Sequence, residues 1–173
     1  MKDVGQTLAA ARRRRAAARH RPTDVDLLLV AKAPPIALDR YFFFEDARRQ
    51  DSLFRHVAST LLRREPTREN KSELLAEFSR RRVFLIDVVE DPFDRRPLSA
   101  HVPRLIERIR RLDPNWIVLI KADVFDAAYR AIADAGLPIS PVRVPFPGSG
   151  QQQRFEKAFA RALVRSHVHA RTA

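Results

Sequence analysis

Residues 26–35 read DLLLVAKAPP and residues 83–92 read VFLIDVVEDP. Each is an apolar run that ends abruptly in a polar, proline-bounded loop. Apolar runs without polar alternation are the pattern of strands covered on both faces, as in parallel sheets. A third run, WIVLI at 116–120, and a short fourth, Val142 to Val144, extend the series. Ligands of open α/β sheets bind outside the carboxyl ends of the strands. The loops after Val30, Val89, Ile120 and Val144 are therefore the expected rim of a site.

Helical patterns separate the strands. Residues 4–20 form an Ala/Arg-rich segment closed by Arg21-Pro22. Asp51-Ser52 can cap a helix reaching about Arg64. A further helix is expected over 72–81. Val102, Leu105, Ile106, Ile109 and Leu112 share one face of a helix over 102–112. Another runs from Asp123 to Ala135 and is closed by Gly136. The last spans 151 to about 166, leaving a frayed tail at 167–173. Alternating strands and helices predict one domain over 1–173. Its expected form is a three-layer α/β/α sandwich with a four-stranded, mainly parallel sheet. At 173 residues one core is sufficient.

The chain has no cysteine, which excludes a disulfide framework, a thiolate zinc site and a cysteine nucleophile. Only four glycines occur, and neither a dinucleotide fingerprint nor a Walker loop is present. His56 and His101 are isolated and His167 and His169 lie in the tail, so no metal and no cofactor is expected. Ser149, in PGSGQ, lacks the strained nucleophile-elbow pattern. No apolar run nears the roughly 20 residues of a membrane span. The amino terminus has no h-region, so a cytoplasmic location is expected.

The net charge is +12. Half of that excess lies in residues 1–23, a basic amino-terminal helix with seven Lys/Arg against only Asp3. Such a surface favours polyanions by counterion release. Nucleic acid is the expected partner, through phosphate contacts from Arg12, Arg13, Arg14, Arg15 and Arg19. A solvated arginine-rich surface is the plain alternative.

Two polar residues stand out near the strand ends. Lys32 follows the first apolar run and is read as an anion contact, as a nucleophilic amine, or as a lysine reaching solvent. Asp87 interrupts the second run, and burial of a carboxylate without partners is costly. It is read as a ligand contact or as bonded to loop amides or Lys32; mutual pairing of Lys32 and Asp87 is the expected resolution. Tyr41, Phe42, Phe43 and Phe44 cannot all face one side, so some are core and some are free to stack on a base.

Together these pieces resemble the uracil-DNA glycosylase superfamily, in particular its thermophile-type branch with a Gly-Glu-Ala-Pro-Gly loop. LLLVAKAPP is similar to the strand and water-binding loop. DSLFRHVASTLL (51–62) is similar to the segment whose phenylalanine stacks on uracil, here Phe54. VFLIDVVEDP is similar to the strand whose asparagine reads the uracil edge, here Asp87. VPFPGSGQQ (144–152) resembles the His-Pro-Ser loop that inserts beside the flipped nucleotide. The resemblance implies a DNA-repair fold and a ligand site of Lys32, Ala33, Pro34, Phe44, Phe54, Asp87, Phe146, Pro147, Gly148 and Ser149.

The departures fall on the chemistry. The water-activating acid maps to Lys32, the asparagine to Asp87, the histidine to Phe146 and the loop serine to Gly148. The branch's cluster-binding cysteines are absent. Ordinary uracil excision is therefore not expected. Three functions follow: a protein that binds nucleic acid or a nucleobase-like ligand; a divergent glycosylase of other base specificity, with Glu45 or Asp46 as acid beside Lys32 and Asp87; or a non-enzymatic interaction or small-molecule module on the same scaffold.

Overall fold

The computed structural model describes residues 4–48 and 51–164. The expected tail at 167–173 lies outside them. Among the described residues six α-helices and three parallel strands form a mixed α/β fold: α1 (Val4–Arg19), β1 (Leu27–Ala31), α2 (Ser52–Leu62), α3 (Lys71–Arg80), β2 (Val83–Asp87), α4 (Val102–Leu112), β3 (Trp116–Leu119), α5 (Ala122–Asp134) and α6 (Gln152–Leu163). A short 3-10 turn, Leu98–His101, leads into α4. Among the described residues no helix is long and apolar enough to cross a membrane.

The strand order is β2-β1-β3. Leu27 sits opposite Val83 on one side and Trp116 on the other, and Ala31 sits opposite Asp87. This register brings the carboxyl ends together at one rim. Leu28, Leu29 and Val30 are fully buried, so successive side chains on both faces of the central strand are covered. Each such residue contributes about 1.5–3 kcal/mol by leaving water. The helices join this core in the manner their patterns dictate. Val102, Leu105 and Ile109 of α4 are buried. Phe155 and Phe159 of α6 stack with centroids 5.1 Å apart, and the Trp116 indole N–H donates to the Ala162 carbonyl at 2.8 Å, fixing α6 on β3.

The fourth strand is a correction. Val142 to Val144 forms no strand. The segment touches the sheet through two isolated parallel bridges, Ile117 with Ile139 and Ile120 with Val144. Pro138, Pro141 and Pro145 punctuate it, and proline has no N–H for a ladder. The described sheet therefore has three strands, with a proline-rich segment along its β3 edge.

The cap at Asp51 forms as its sequence predicts. Its carboxylate accepts the Phe54 N–H at 2.9 Å and opens α2. Gly136, at φ 73°, supplies the left-handed turn after α5.

Candidate functional site at the strand ends

A cavity of about 220 Å³ opens where the three strands end. Its floor is Ala31, Leu85 and Asp87. The loop Lys32 to Pro35, the residues Tyr41, Phe42 and Leu53, and Asp51, Lys121 and Phe146 complete the lining. An engineered apolar cavity of roughly 150 Å³ holds benzene. The space here suits one heterocycle and is too small for a large cofactor.

Asp87 is the polar feature of the floor. The last residue of β2, it is 8% exposed. Burial pushes its carboxyl up to about 7, against the pull of Arg108 and Arg13 and with the push of Asp51 and Glu90. The Arg108 guanidinium donates to the Asp87 backbone carbonyl at 2.8 Å. Asp87 thus titrates near neutrality. Ionised, its carboxylate only accepts hydrogen bonds; protonated, it also donates. Asp51 is a second buried carboxyl of the same cavity, held above its ordinary range by burial.

The expected pairing of Lys32 with Asp87 does not form. Lys32 Nζ donates to Asp123 Oδ2 at 2.7 Å, and Lys121 Nζ approaches the same oxygen at 3.7 Å. Asp123 lies in the first turn of α5, directly after the β3 end, and draws both lysines to the rim. Burial pushes Asp123 up, but the Lys32 hydrogen bond and the charge of Lys121 outweigh it and hold the carboxyl below its ordinary range. The charge of Asp87 is offset instead by Arg108 and Arg13.

The aromatic assignments also change. Phe44 and Phe54 are 2% and 3% exposed and do not line the cavity. Phe54 is packed edge-on against Phe42 and Phe78, with Lys71 Nζ 4.7 Å over its ring. Phe44 lies edge-on to Tyr41 under the Arg12 guanidinium. Helix α2 turns its Phe54 face into the core, so Phe42 and Tyr41 supply the aromatic wall. All four residues of the 41–44 cluster are buried.

Glu45 and Asp46 do not enter the cavity either. Glu45 Oε1 lies 2.9 Å from His20 Nε2 and 3.8 Å from Arg19, while Asp46 pairs with Arg12 at 3.1 Å. Both face α1 and tie it to the loop after β1. Of the loop from 146 to 149, Phe146 alone lines the cavity, and it is 40% exposed at its mouth. Pro147 is held by its carbonyl, which accepts the Ser52 hydroxyl at 3.0 Å. A side chain at Gly148 would meet the Phe146 ring at 3.2 Å, so the glycine allows the ring its place. Ser149 adopts a left-handed φ of 49° outside the lining.

The arginine block divides. Arg13 is buried, and its Nη2 donates to the carbonyls of Pro35 at 2.7 Å and Ile36 at 3.0 Å. It is a strap between α1 and the loop over the cavity, and not a free cation as expected. Arg12 and Arg19 face Asp46 and Glu45. Arg14 and Arg15 are exposed. Arg14 also lines a groove of about 720 Å³ between α1 and the loop after β2.

Neither a family model, nor a curated protein, nor a solved structure matches this chain. The geometry therefore carries the functional argument. Lys32, Ala33, Pro34, Asp87 and Phe146 line one cavity together with Tyr41, Phe42, Asp51 and Lys121, and Asp123 meets Lys32 and Lys121 at its rim. One signal could have found Lys121: it follows the run WIVLI as Lys32 follows LLLVA, a lysine just past a buried strand in both cases.

Proposed function

We propose that this is a uracil-DNA-glycosylase-like protein, with that family's α/β/α layering, whose cavity receives a nucleobase of a nucleic acid, DNA foremost. Ordinary uracil excision is weak or absent. The observation that carries this reading is Asp87, a buried carboxyl titrating near neutrality on the floor of an aromatic cavity with room for one heterocycle. Such a group reads a base edge: ionised, it accepts from an exocyclic amino group; protonated, it matches an amide edge. Tyr41, Phe42 and Phe146 offer apolar surface to a ring. Exposed arginines such as Arg14 and Arg15 supply attraction for phosphates. Excision would require preorganised groups for a developing cation and a leaving anion. The positions that resemble the family's acid and histidine hold Lys32 and Phe146.

A second reading, a divergent glycosylase acting on another base, is favoured by Asp51, a carboxyl lining the same cavity as Asp87. One experiment separates the two. Labelled single-stranded oligonucleotides carrying each normal, deaminated or alkylated base are titrated with wild type and Asp87→Ala, and the same substrates are assayed for base release. The reading expects binding that varies with the central base, loses that variation in Asp87→Ala, and is accompanied by no rapid release of uracil. Base-independent binding unchanged in Asp87→Ala would refute the cavity reading. Rapid release of a base other than uracil, lost in Asp51→Asn, would establish the second.

A further inference from the structure

We infer that Lys32 and Lys121 form a two-lysine phosphate clamp at the edge of the cavity, with Asp123 occupying the anion position until a ligand arrives. The inference rests on the nucleobase reading of the cavity and deepens it: the ligand recognised is a nucleoside phosphate, with the phosphate next to the base pocket. Both ammonium groups converge on one oxygen, Asp123 Oδ2, at 2.7 and 3.7 Å. An anion in that place is within reach of both. The trio keeps one net positive charge at the edge of a cavity that both lysines line and whose other charged groups are the buried carboxyls of Asp51 and Asp87. A lysine is a compact point charge suited to phosphate.

Structural need does not account for this arrangement. The Lys32, Lys121 and Asp123 side chains are 43%, 40% and 41% exposed, and exposed ion pairs add little to stability. Lys121 also carries a backbone cost. Its φ is 94° and its ψ 136°, a region that glycine enters freely and L side chains rarely do. The conformation is pinned on both sides: the Lys121 N–H donates to the Val144 carbonyl at 2.9 Å, and the Lys121 carbonyl accepts the Phe125 N–H at 3.1 Å. A lysine is thus retained where the backbone favours glycine, and its side chain borders the cavity. Strain of this kind, held by the surrounding structure, marks functional positions.

The test titrates the full chain at low salt with the four deoxynucleosides, their 3′- and 5′-monophosphates, and 2-deoxyribose 5-phosphate as a base-less probe. At least one monophosphate should bind about tenfold or more tighter than its nucleoside. Lys32→Gln and Lys121→Gly should each remove most of that advantage, lowering monophosphate affinity far more than nucleoside affinity, whereas Asp123→Asn should increase it. Lys121→Gly should at the same time raise the melting temperature by about 2–4 °C, because glycine relieves the strain. A purely structural lysine predicts no such opposition between stability and binding. Equal affinity for nucleoside and monophosphate would overturn the clamp and leave the base pocket standing. Lysine-dependent binding of deoxyribose phosphate as tight as that of every nucleotide would overturn the base pocket and leave the clamp. No binding of any probe would overturn both.

Discussion

The groove beside α1 is more than three times the volume of the cavity at the strand ends, about 720 against 220 Å³, and carries far more charge. Its charges are largely answered from within. Arg96 lies 2.6 Å from Asp94, Arg104 lies 3.0 Å from Glu90, and the nearby Arg108 lies 3.8 Å from Glu90. The cavity holds fewer charges and leaves them poised: a carboxyl near neutrality, and two lysines sharing one carboxylate. The contrast teaches that net charge locates a partner class, while a site is located by charges that the fold leaves incompletely answered beside apolar surface. Asp87 lines the cavity, and Arg13 lines the groove while donating to the Pro35 and Ile36 carbonyls, so substitutions there and along α1 separate the two contributions.

The largest expected effect is at Asp87. Its pKa rises from 3.8 unfolded to about 7 folded. Between those values the folded state keeps a proton that the unfolded state releases, so stability falls as pH rises from about 4 to about 7. Asp87→Asn removes this titration. Urea melts should show the variant more stable by up to about 4 kcal/mol near pH 8 and almost unchanged near pH 4. A constant difference across that range would place the Asp87 carboxyl in contact with water and weaken the cavity side of the comparison.

Arg13→Ala should follow. It removes two charge-assisted hydrogen bonds to the Pro35 and Ile36 carbonyls together with buried packing, a loss of about 1.5–3 kcal/mol in the same melts. Its salt dependence of single-stranded DNA binding should be that of wild type, since the buried guanidinium is no phosphate contact. The exposed neighbours behave oppositely. Arg14→Gln/Arg15→Gln should leave stability within about 0.5 kcal/mol and reduce the slope of log affinity against log salt by about 1.4. An unchanged slope would remove α1 from the nucleic-acid surface. The smallest effect is at Asp46: Asp46→Asn frees Arg12 and should tighten binding about twofold at low salt, by the same phosphate term.

Much of this was legible in the chain because the signals are local. LLLVA, VFLID and WIVL read as buried strands, since short apolar runs bounded by polar, proline-rich loops fit strands covered on both faces. Asp87 was conspicuous because it breaks such a run. Val142 to Val144 extends the series of apolar runs, while Pro138, Pro141 and Pro145, which deny the segment a ladder, carry the decisive information. The site was less legible where its members are distant. Lys32 and Asp123 are 91 residues apart, and only the alignment of β1 with β3 brings them together. Composition could not tell Phe42 from Phe54, since both are aromatic and both are buried; the turn of α2 decides which one faces the cavity. Arg13 was hidden inside a run of four arginines, although Ala9, Arg13, Ala16 and His20 mark one helical stripe turned toward the protein.

The central claim is that a nucleobase enters the cavity at the strand ends while the arginines of α1 only hold the strand. Backbone amide shifts, followed by NMR during titration with a short single-stranded DNA in wild type and in Arg14→Gln/Arg15→Gln, test it most directly. The account predicts saturable shifts at Ala31, Lys32, Ala33, Asp87, Lys121 and Phe146 in both proteins, reached at higher DNA concentration in the variant. Shifts confined to α1 and the groove residues, with the amides of the strand ends unmoved at saturation, would contradict it.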